Sequence, residues 1–301
     1  MFYTAQARCE DGAYRDCLDL IDSFLRKGNA ATHVMPLLGQ LAHKPDARGP
    51  LLALLRDAPP WRQTFFSQLK THTRDPGVVL SLLFDLKDTQ APPTTAEVQA
   101  VIAVLLADTL YEQAYYAWLF LLPPDAFARV RLLNDGDFDS PAMPPPFGWT
   151  IPLNRGATSG RADTGDPDRG PALRVIFDAD RVQFKPVQQL TFLPPGSYTL
   201  AGLFKSHITG RRGLRWRLTC AKPGKAVLAE TDMVLGINDE WQSFSASLVV
   251  PDADCRAQHL SLVLDARTQS ERMVSGTVWF DGLSIVRQSA AQIAPDGGGV
   301  P

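Results

Sequence analysis

The hydrophobic period of this chain changes once, and the change divides it in two. Residues 132–149 read LLNDGDFDSPAMPPPFGW. Before them apolar residues recur at helical steps, and after them they alternate. One chain written in two periods calls for a helical domain followed by a β domain, not one mixed core. A length of 301 residues accommodates both.

Residues 13–27 (AYRDCLDLIDSFLRK) set Tyr14, Cys17, Leu18, Ile21, Phe24 and Leu25 on one stripe at steps of three and four. Gly28-Asn29 ends that helix. Helices follow over 32–42, 48–56 after a break at Pro45, 61–71, 77–86 with Asp75 as N-cap, 96–108 capped by Thr95, and 111–122. The last, YEQAYYAWLFLL, is apolar nearly all round and is expected to be buried on two sides. Short helices with short links make an antiparallel helical array over residues 1–131. The concave face of such an array usually holds a protein partner; the alternative is an array that only supports the second domain. Trp61-Arg62, after two prolines, reads either as a surface anchor or as packing at a helix start.

From residue 172 the period is two. Tyr198, Leu200, Gly202 and Phe204 alternate with Thr199, Ala201, Leu203 and Lys205. Leu214, Trp216, Leu218 and Cys220 alternate with Arg215, Arg217 and Thr219. Phe244, Ala246 and Leu248 alternate with serines, and Leu260, Leu262 and Leu264 with His259 and Ser261. Turn signals at Pro195-Gly196, Pro223-Gly224 and Asn238-Asp239 complete an antiparallel β-sandwich over 132–288. Residues 289–301, with GGG and two prolines, read as a disordered tail.

A formal net charge of -2 leaves no basic stripe for nucleic acid. No apolar run is long enough to span a membrane. Two of the four cysteines, Cys9 and Cys17, read as ordinary thiols, because on one helix they would lie about 12 Å apart. Cys220 and Cys255 fall at strand ends and are open to either state; a disulfide there would imply an oxidising compartment. None of the five histidines stands in metal-ligand spacing with another. No GxSxG, phosphate-binding loop, dinucleotide fingerprint or HExxH occurs, so the chain is expected not to be an enzyme.

Two resemblances add to this reading. GAYRDCLDLIDSFL and LYEQAYYAWLFLLP are similar to the first helix of a tetratricopeptide repeat, through Tyr14 with Cys17 and Tyr111 with Ala114. The middle of the array departs from that pattern, with no recurring Trp-Leu-Gly set. In the second half NDGDFDSP, FGW, VQQLTFLPPGSYTLAGLFKS, LRWRLTC, EWQSFSASLVVP and GTVWFDGLSI follow one another. This order resembles the jelly-roll carbohydrate-binding modules of the CBM4/9/22 kind, within the galactose-binding-like group. Asp135 is inserted after Asn134, and Asp139 stands where the family has Glu.

The resemblance implies a jelly roll in which residues 132–149 supply the opening strand, with first and last strands side by side and often a structural calcium where they meet. The matching carboxylates are Asp139 and Asp281, which could otherwise serve only to accept backbone amides. It also implies a sugar site on one sheet. On the solvent-facing register stand Lys205, Arg215, Arg217 and Gln188. Trp216 should point inward, Trp149 and Trp241 match positions that pack, and Trp279 is open to either side. The run KSHITGRRGLRWR suits an acidic polysaccharide, since arginine forks pair with carboxylates, or is simply a solvated hairpin. The expectation is a non-catalytic bacterial envelope or exopolysaccharide-associated protein, periplasmic or extracellular, with a protein partner on the helices and a polysaccharide on the sandwich. The alternatives are a pure protein-interaction module and a jelly-roll polysaccharide-active enzyme.

Overall fold

The computed structural model describes residues 2–28, 31–72, 75–178, 181–221 and 226–288. The Pro223-Gly224 turn and the tail 289–301 lie outside the described residues. The chain forms two compact units that divide between Leu122 and Pro123, so residues 123–131 go with the second. No helix among the described residues is long and apolar enough to cross a membrane.

The first unit holds α1 (Phe2–Glu10), α2 (Tyr14–Arg26), α3 (Ala31–Ala42), α4 (Pro45–Arg56), α5 (Arg62–His72), α6 (Pro76–Leu86), α7 (Thr95–Ala107) and α8 (Tyr111–Leu121). Helices α2, α4, α6 and α8 pack in series, and α3, α5 and α7 pack in series beside them. Contacts of α3 with α4, α5 with α6 and α7 with α8 join the two layers. The stripe of α2 buries Cys17, Leu18, Ile21 and Leu25 in this stack, each aliphatic side chain contributing about 1.5–3 kcal/mol.

Several local expectations change. Helix α1 has little amphipathic signal and lies outside the helices that periodicity delimits. The chain reverses at Gly12, where φ is +79°, so Cys9 and Cys17 sit on two helices with Cα atoms 5.3 Å apart and form a disulfide. The expectation of two thiols rested on a single helix. Pro45 does not break α4 but opens it at its first turn, where the missing N–H costs nothing. Thr94, not Thr95, caps α7: its side chain accepts from Glu97 N, and the Glu97 carboxylate accepts from Thr94 N. Helix α8 is buried along one stripe, Tyr111, Ala114, Ala117 and Trp118, while Tyr116 is exposed.

Arg62 is buried, not a surface anchor. Its Nε and Nη2 donate to the two oxygens of Glu97 at 2.8 and 3.0 Å. Its Nη1 donates to Leu55 O and Ala91 O and its Nη2 to Pro92 O. One guanidinium thus ties the end of α4, the start of α5 and the start of α7 together. Trp61 is also buried, with its indole N–H donated to Asp22.

The second unit opens with the short helix α9 (Pro124–Phe127). Its strands are β1 (Ala157–Asp163), β2 (Pro171–Phe177), β3 (Val187–Thr191), β4 (Gly196–Gly210), β5 (Leu214–Cys220), β6 (Val227–Glu230), β7 (Gly236–Val250), β8 (Gln258–Leu264) and β9 (Val274–Arg287). They form two antiparallel sheets, ordered β1-β2-β9-β4-β7 and β3-β8-β5-β6. Tyr198, Leu200, Val278 and Phe280 of the first sheet meet Trp216, Leu218, Leu260 and Leu262 of the second in one core. Trp216 is fully buried, as its register requires. Cys220 and Cys255 form a disulfide.

The stretch 132–149 is not a strand. Asp135 and Phe138 have φ of +53° and +54°, and successive turns replace regular pairing. It still lies on the last strand. Leu283 N donates to Gly136 O at 3.0 Å, and a Cβ on Gly136 would stand 1.8 Å from Leu283 O. Only glycine allows that approach. Phe138 and Trp149 stack at 5.1 Å, and Trp149 leads on to Trp216 at 5.6 Å.

Candidate functional site

The register of the five-stranded sheet assembles a row of side chains that neighbouring positions in the sequence do not reveal. Arg174 of β2 stands opposite Trp279 of β9. Trp279 stands opposite Lys205 of β4, and Gly160 of β1 opposite Arg174. Directly paired residues share a face of the sheet. Val278 and Phe280, which flank Trp279, are fully buried, so the row Lys205–Trp279–Arg174–Gly160 lies on the solvent side. A Cβ on Gly160 would meet nothing within 4 Å, so the far end of the row is open.

The next row is His207, Thr277, Ile176 and Thr158. On edge strand β7, Ser243, Ser245 and Ser247 stand opposite Leu203, Ala201 and Thr199 and are exposed. The face therefore offers an aromatic ring, cations and a field of hydroxyls. The guanidinium of Arg174 lies over the Trp279 ring, its carbon 5.3 Å from the centroid. Trp241 of β7 carries a second cation, with the Arg169 carbon 4.7 Å from its centroid.

Gln188, Arg215 and Arg217 lie on the other sheet. Gln188 pairs with Ser261, Ser261 with Arg217, and Arg217 with Glu230. These side chains form the outer face of the four-stranded sheet, across the core from Lys205. The structure thus divides the expected site between two opposite faces. The arginines there are also occupied. Arg217 Nε donates to Glu230, and Arg215 bridges Glu230 Oε2 at 3.1 Å and Asp265 Oδ2 at 2.8 Å. Burial alone would raise the Glu230 pKa, but the hydrogen bonds and charges of Arg217 and Arg215 outweigh it and hold the carboxyl below its ordinary value.

The carboxylates expected to hold calcium meet a cation of the protein's own. Asp281 Oδ2 accepts from Arg169 Nη1 at 2.9 Å, and Asp281 Oδ1 accepts from Gly282 N at 2.8 Å. Asp139 is exposed and accepts from the Ser140 hydroxyl at 3.2 Å. Among the described residues no three His, Cys, Asp or Glu side chains gather as metal ligands. Calcium takes six to eight oxygens, and this arrangement does not fit it. Asp135 is paired with Arg161. Burial raises the pKa of Asp135, with Arg161 opposing. Burial also raises that of Asp137, and the charges of Asp139 and Asp281 push it further.

Trp279 was open to either face in the sequence, because it shares a register with Asp281; buried Val278 and Phe280 on either side put it on the solvent face. Arg174 and Arg169 were missed. The one signal for Arg174 was its place between buried Leu173 and Val175.

No family model and no curated protein matches this chain. Solved structures similar to it, matched over about half of the chain, include carbohydrate-binding modules and the enzymatically active domain of a bacteriophage CBA120 tailspike protein. A CBM4 module is 18% identical over 52% of this chain and 99% of its own, with a TM-score of 0.35. A family 16 module is 12% identical over 52% and 100%, with a TM-score of 0.35. TmCBM61, solved in complex with beta-1,4-galactotriose, is 13% identical over 53% and 99%, with a TM-score of 0.35.

Proposed function

We propose that the sandwich is a non-catalytic glycan-binding module whose platform is the solvent face of the five-stranded sheet. The carrying observation is the row Lys205–Trp279–Arg174, which puts an indole on that face between two cations. An indole packs against the apolar C–H face of a sugar ring, while lysine, arginine and the β7 serines donate to its hydroxyls. Arg215 and Arg217, neutralised by Glu230 and Asp265, are assigned to holding β5, β6 and β8 in register. The two-layer helical stack is assigned to a protein partner, and its tetratricopeptide-like character rests on Tyr14, Cys17, Tyr111 and Ala114. Disulfides in both units support an oxidising compartment, periplasmic or extracellular. Arg169 takes the place proposed for calcium beside Asp281.

The test is affinity electrophoresis of the full chain in gels containing soluble xylan, mixed-linkage β-glucan or galactan. Retardation by at least one of these, weakened about tenfold or more by Trp279→Ala, is the expected result. That loss is the scale of one aromatic contact, about 1–2 kcal/mol. Retardation that Trp279→Ala leaves unchanged would reject the platform.

One observation favours a second reading, a protein-interaction module that binds no sugar. Guanidinium groups already cover Trp279 and Trp241. On that reading Arg174→Ala would not improve retardation on any polymer. The third reading, a polysaccharide-active enzyme, predicts release of reducing ends from the same polymers.

A further inference from the structure

At one end of the sandwich three backbone segments lie side by side outside the named strands. Arg155 is bridged to Gln183, and Arg181 to Met273. Gln183 N donates to Arg155 O at 2.9 Å and Val182 N to Arg272 O at 3.1 Å. Lys185 N donates to Asn154 Oδ1 at 2.6 Å. These bonds frame a cleft of about 540 Å3 lined by Arg155, Gly156, Arg181, Gln183 and Met273. A second cleft, of about 360 Å3, shares Gln183 with the first and is lined in part by Lys185 and Arg272.

No carboxylate among the described residues is paired with the cations of this groove. Among the described residues Arg155, Arg181, Lys185 and Arg272 form no ion pair, while Arg161, Arg169, Arg212, Arg215 and Arg217 each have a carboxylate partner. The carboxylates of the adjoining hairpin are engaged elsewhere. Asp265 is bound by Arg215, and Glu271 by Arg212 and the amides of Arg267 and Thr268. Asp178, whose amide bonds Gly156 O, pairs with none of the four cations. Met273 is 50% exposed at the bridge to Arg181, and Leu153, beside Asn154, is 93% exposed.

We infer that this groove is a second binding site, for a segment of acidic polysaccharide. Its arginines match carboxylates as paired donors, Gln183 can serve ring hydroxyls, and Met273 offers an apolar surface to a sugar face. Two adjoining concave clefts take successive units of a chain, whereas a membrane surface would call for a protruding contact. The groove stands apart from the glycan platform: Met273 and Trp279 are six positions apart along the chain, roughly 20 Å at the rise of a strand. It does not depend on that platform.

The experiment compares polygalacturonate with neutral xylan in affinity gels, using the full chain, Arg155→Ala/Arg181→Ala, Trp279→Ala, and a charge-matched control, Arg211→Ala/Arg256→Ala. Both control arginines are exposed. Retardation by polygalacturonate should fall at least tenfold in the groove variant and by less than twofold in the control and in Trp279→Ala. The melting temperatures of all variants should match. Absence of polygalacturonate retardation in the unaltered chain would overturn the inference, as would an equal loss in the control, which would mean net charge alone. Binding to phosphatidylglycerol vesicles that falls in the groove variant, with polygalacturonate binding unchanged, would overturn it in favour of a lipid surface. Failure of xylan binding alone would count only against the Trp279 platform.

Discussion

At the scale of single residues the segment before the sandwich strands is decided by how carboxylates find cations. Asp135 has Arg161, and Asp281 has Arg169. Asp137 has neither, and burial with Asp139 and Asp281 raises its pKa. A carboxyl whose folded pKa is raised favours the fold fully below the ordinary carboxylate pKa. That contribution is lost as pH rises through the raised folded value. Asp137→Asn should therefore raise the melting temperature at pH 7 by about 1–2 °C, and the gain should vanish in acid. Calorimetry at pH 7 and near pH 3.5 checks both, and a gain that persists in acid would refute the charge argument. The same residues carry a prediction about calcium. With Arg169 as the countercharge, EDTA and millimolar calcium should leave the melting temperature unchanged. Arg169→Ala should lower it, by roughly 1 kcal/mol of stability lost with one hydrogen-bonded pair and one ring contact. Stabilisation of the unaltered chain by calcium would remove the assignment of Arg169.

At the scale of elements, the features that the sequence made readable were those in which period and burial agree. The stripe of α2 and the alternation of β4, β5 and β8 follow directly from which side must be dry. Alternation reports which side of its own sheet a residue occupies, and nothing about which sheet that is. Lys205 and Arg215 alternate identically, yet they face opposite ways because β4 and β5 belong to different sheets. The row from Lys205 to Gly160 crosses β4, β9, β2 and β1, with β2, β4 and β9 drawn from separate parts of the chain, so pairing register alone brings Trp279 to Arg174. Residues 132–149 escaped reading for a different reason. Their path is set by positive φ at Asp135 and Phe138 and by the approach of Gly136 to Leu283, neither of which has a period. The helical stack holds an element-scale prediction in Arg62. Removing one partner of a buried ion pair strands the other charge, which costs about 3–5 kcal/mol. Arg62→Ala or Glu97→Gln should shift the denaturant midpoint of the helical signal down accordingly. Arg62→Met with Glu97→Leu should recover most of the loss. A single variant with an unchanged midpoint would show that the pair does not hold α4, α5 and α7 together.

For the whole molecule, the two disulfides bind stability to redox state in both units. The Cys9–Cys17 bridge spans 8 residues and the Cys220–Cys255 bridge 35. Chain-entropy loss in the unfolded state grows with the logarithm of loop length, giving about 2–3 kcal/mol for the first and about 3–4 kcal/mol for the second. The second is also tied into the core. Buried Gln258 donates to Cys255 O at 2.8 Å and accepts from Leu193 N at 3.0 Å, so the loop entering β8 is fixed beside the bridge. Reductant should therefore lower the stability of both units and weaken the sandwich more. The helical transition, followed by far-ultraviolet circular dichroism, should move less than the tryptophan fluorescence transition of the sandwich, read in a Trp61→Phe/Trp118→Phe background so that only Trp149, Trp216, Trp241 and Trp279 report. Cys220→Ser/Cys255→Ser should reproduce the larger shift without reductant, and Cys9→Ser/Cys17→Ser the smaller one. A thiol titration of the denatured protein, purified without reductant, provides the independent check. No free thiols are expected, and four would remove both bridges and with them the argument for an oxidising compartment.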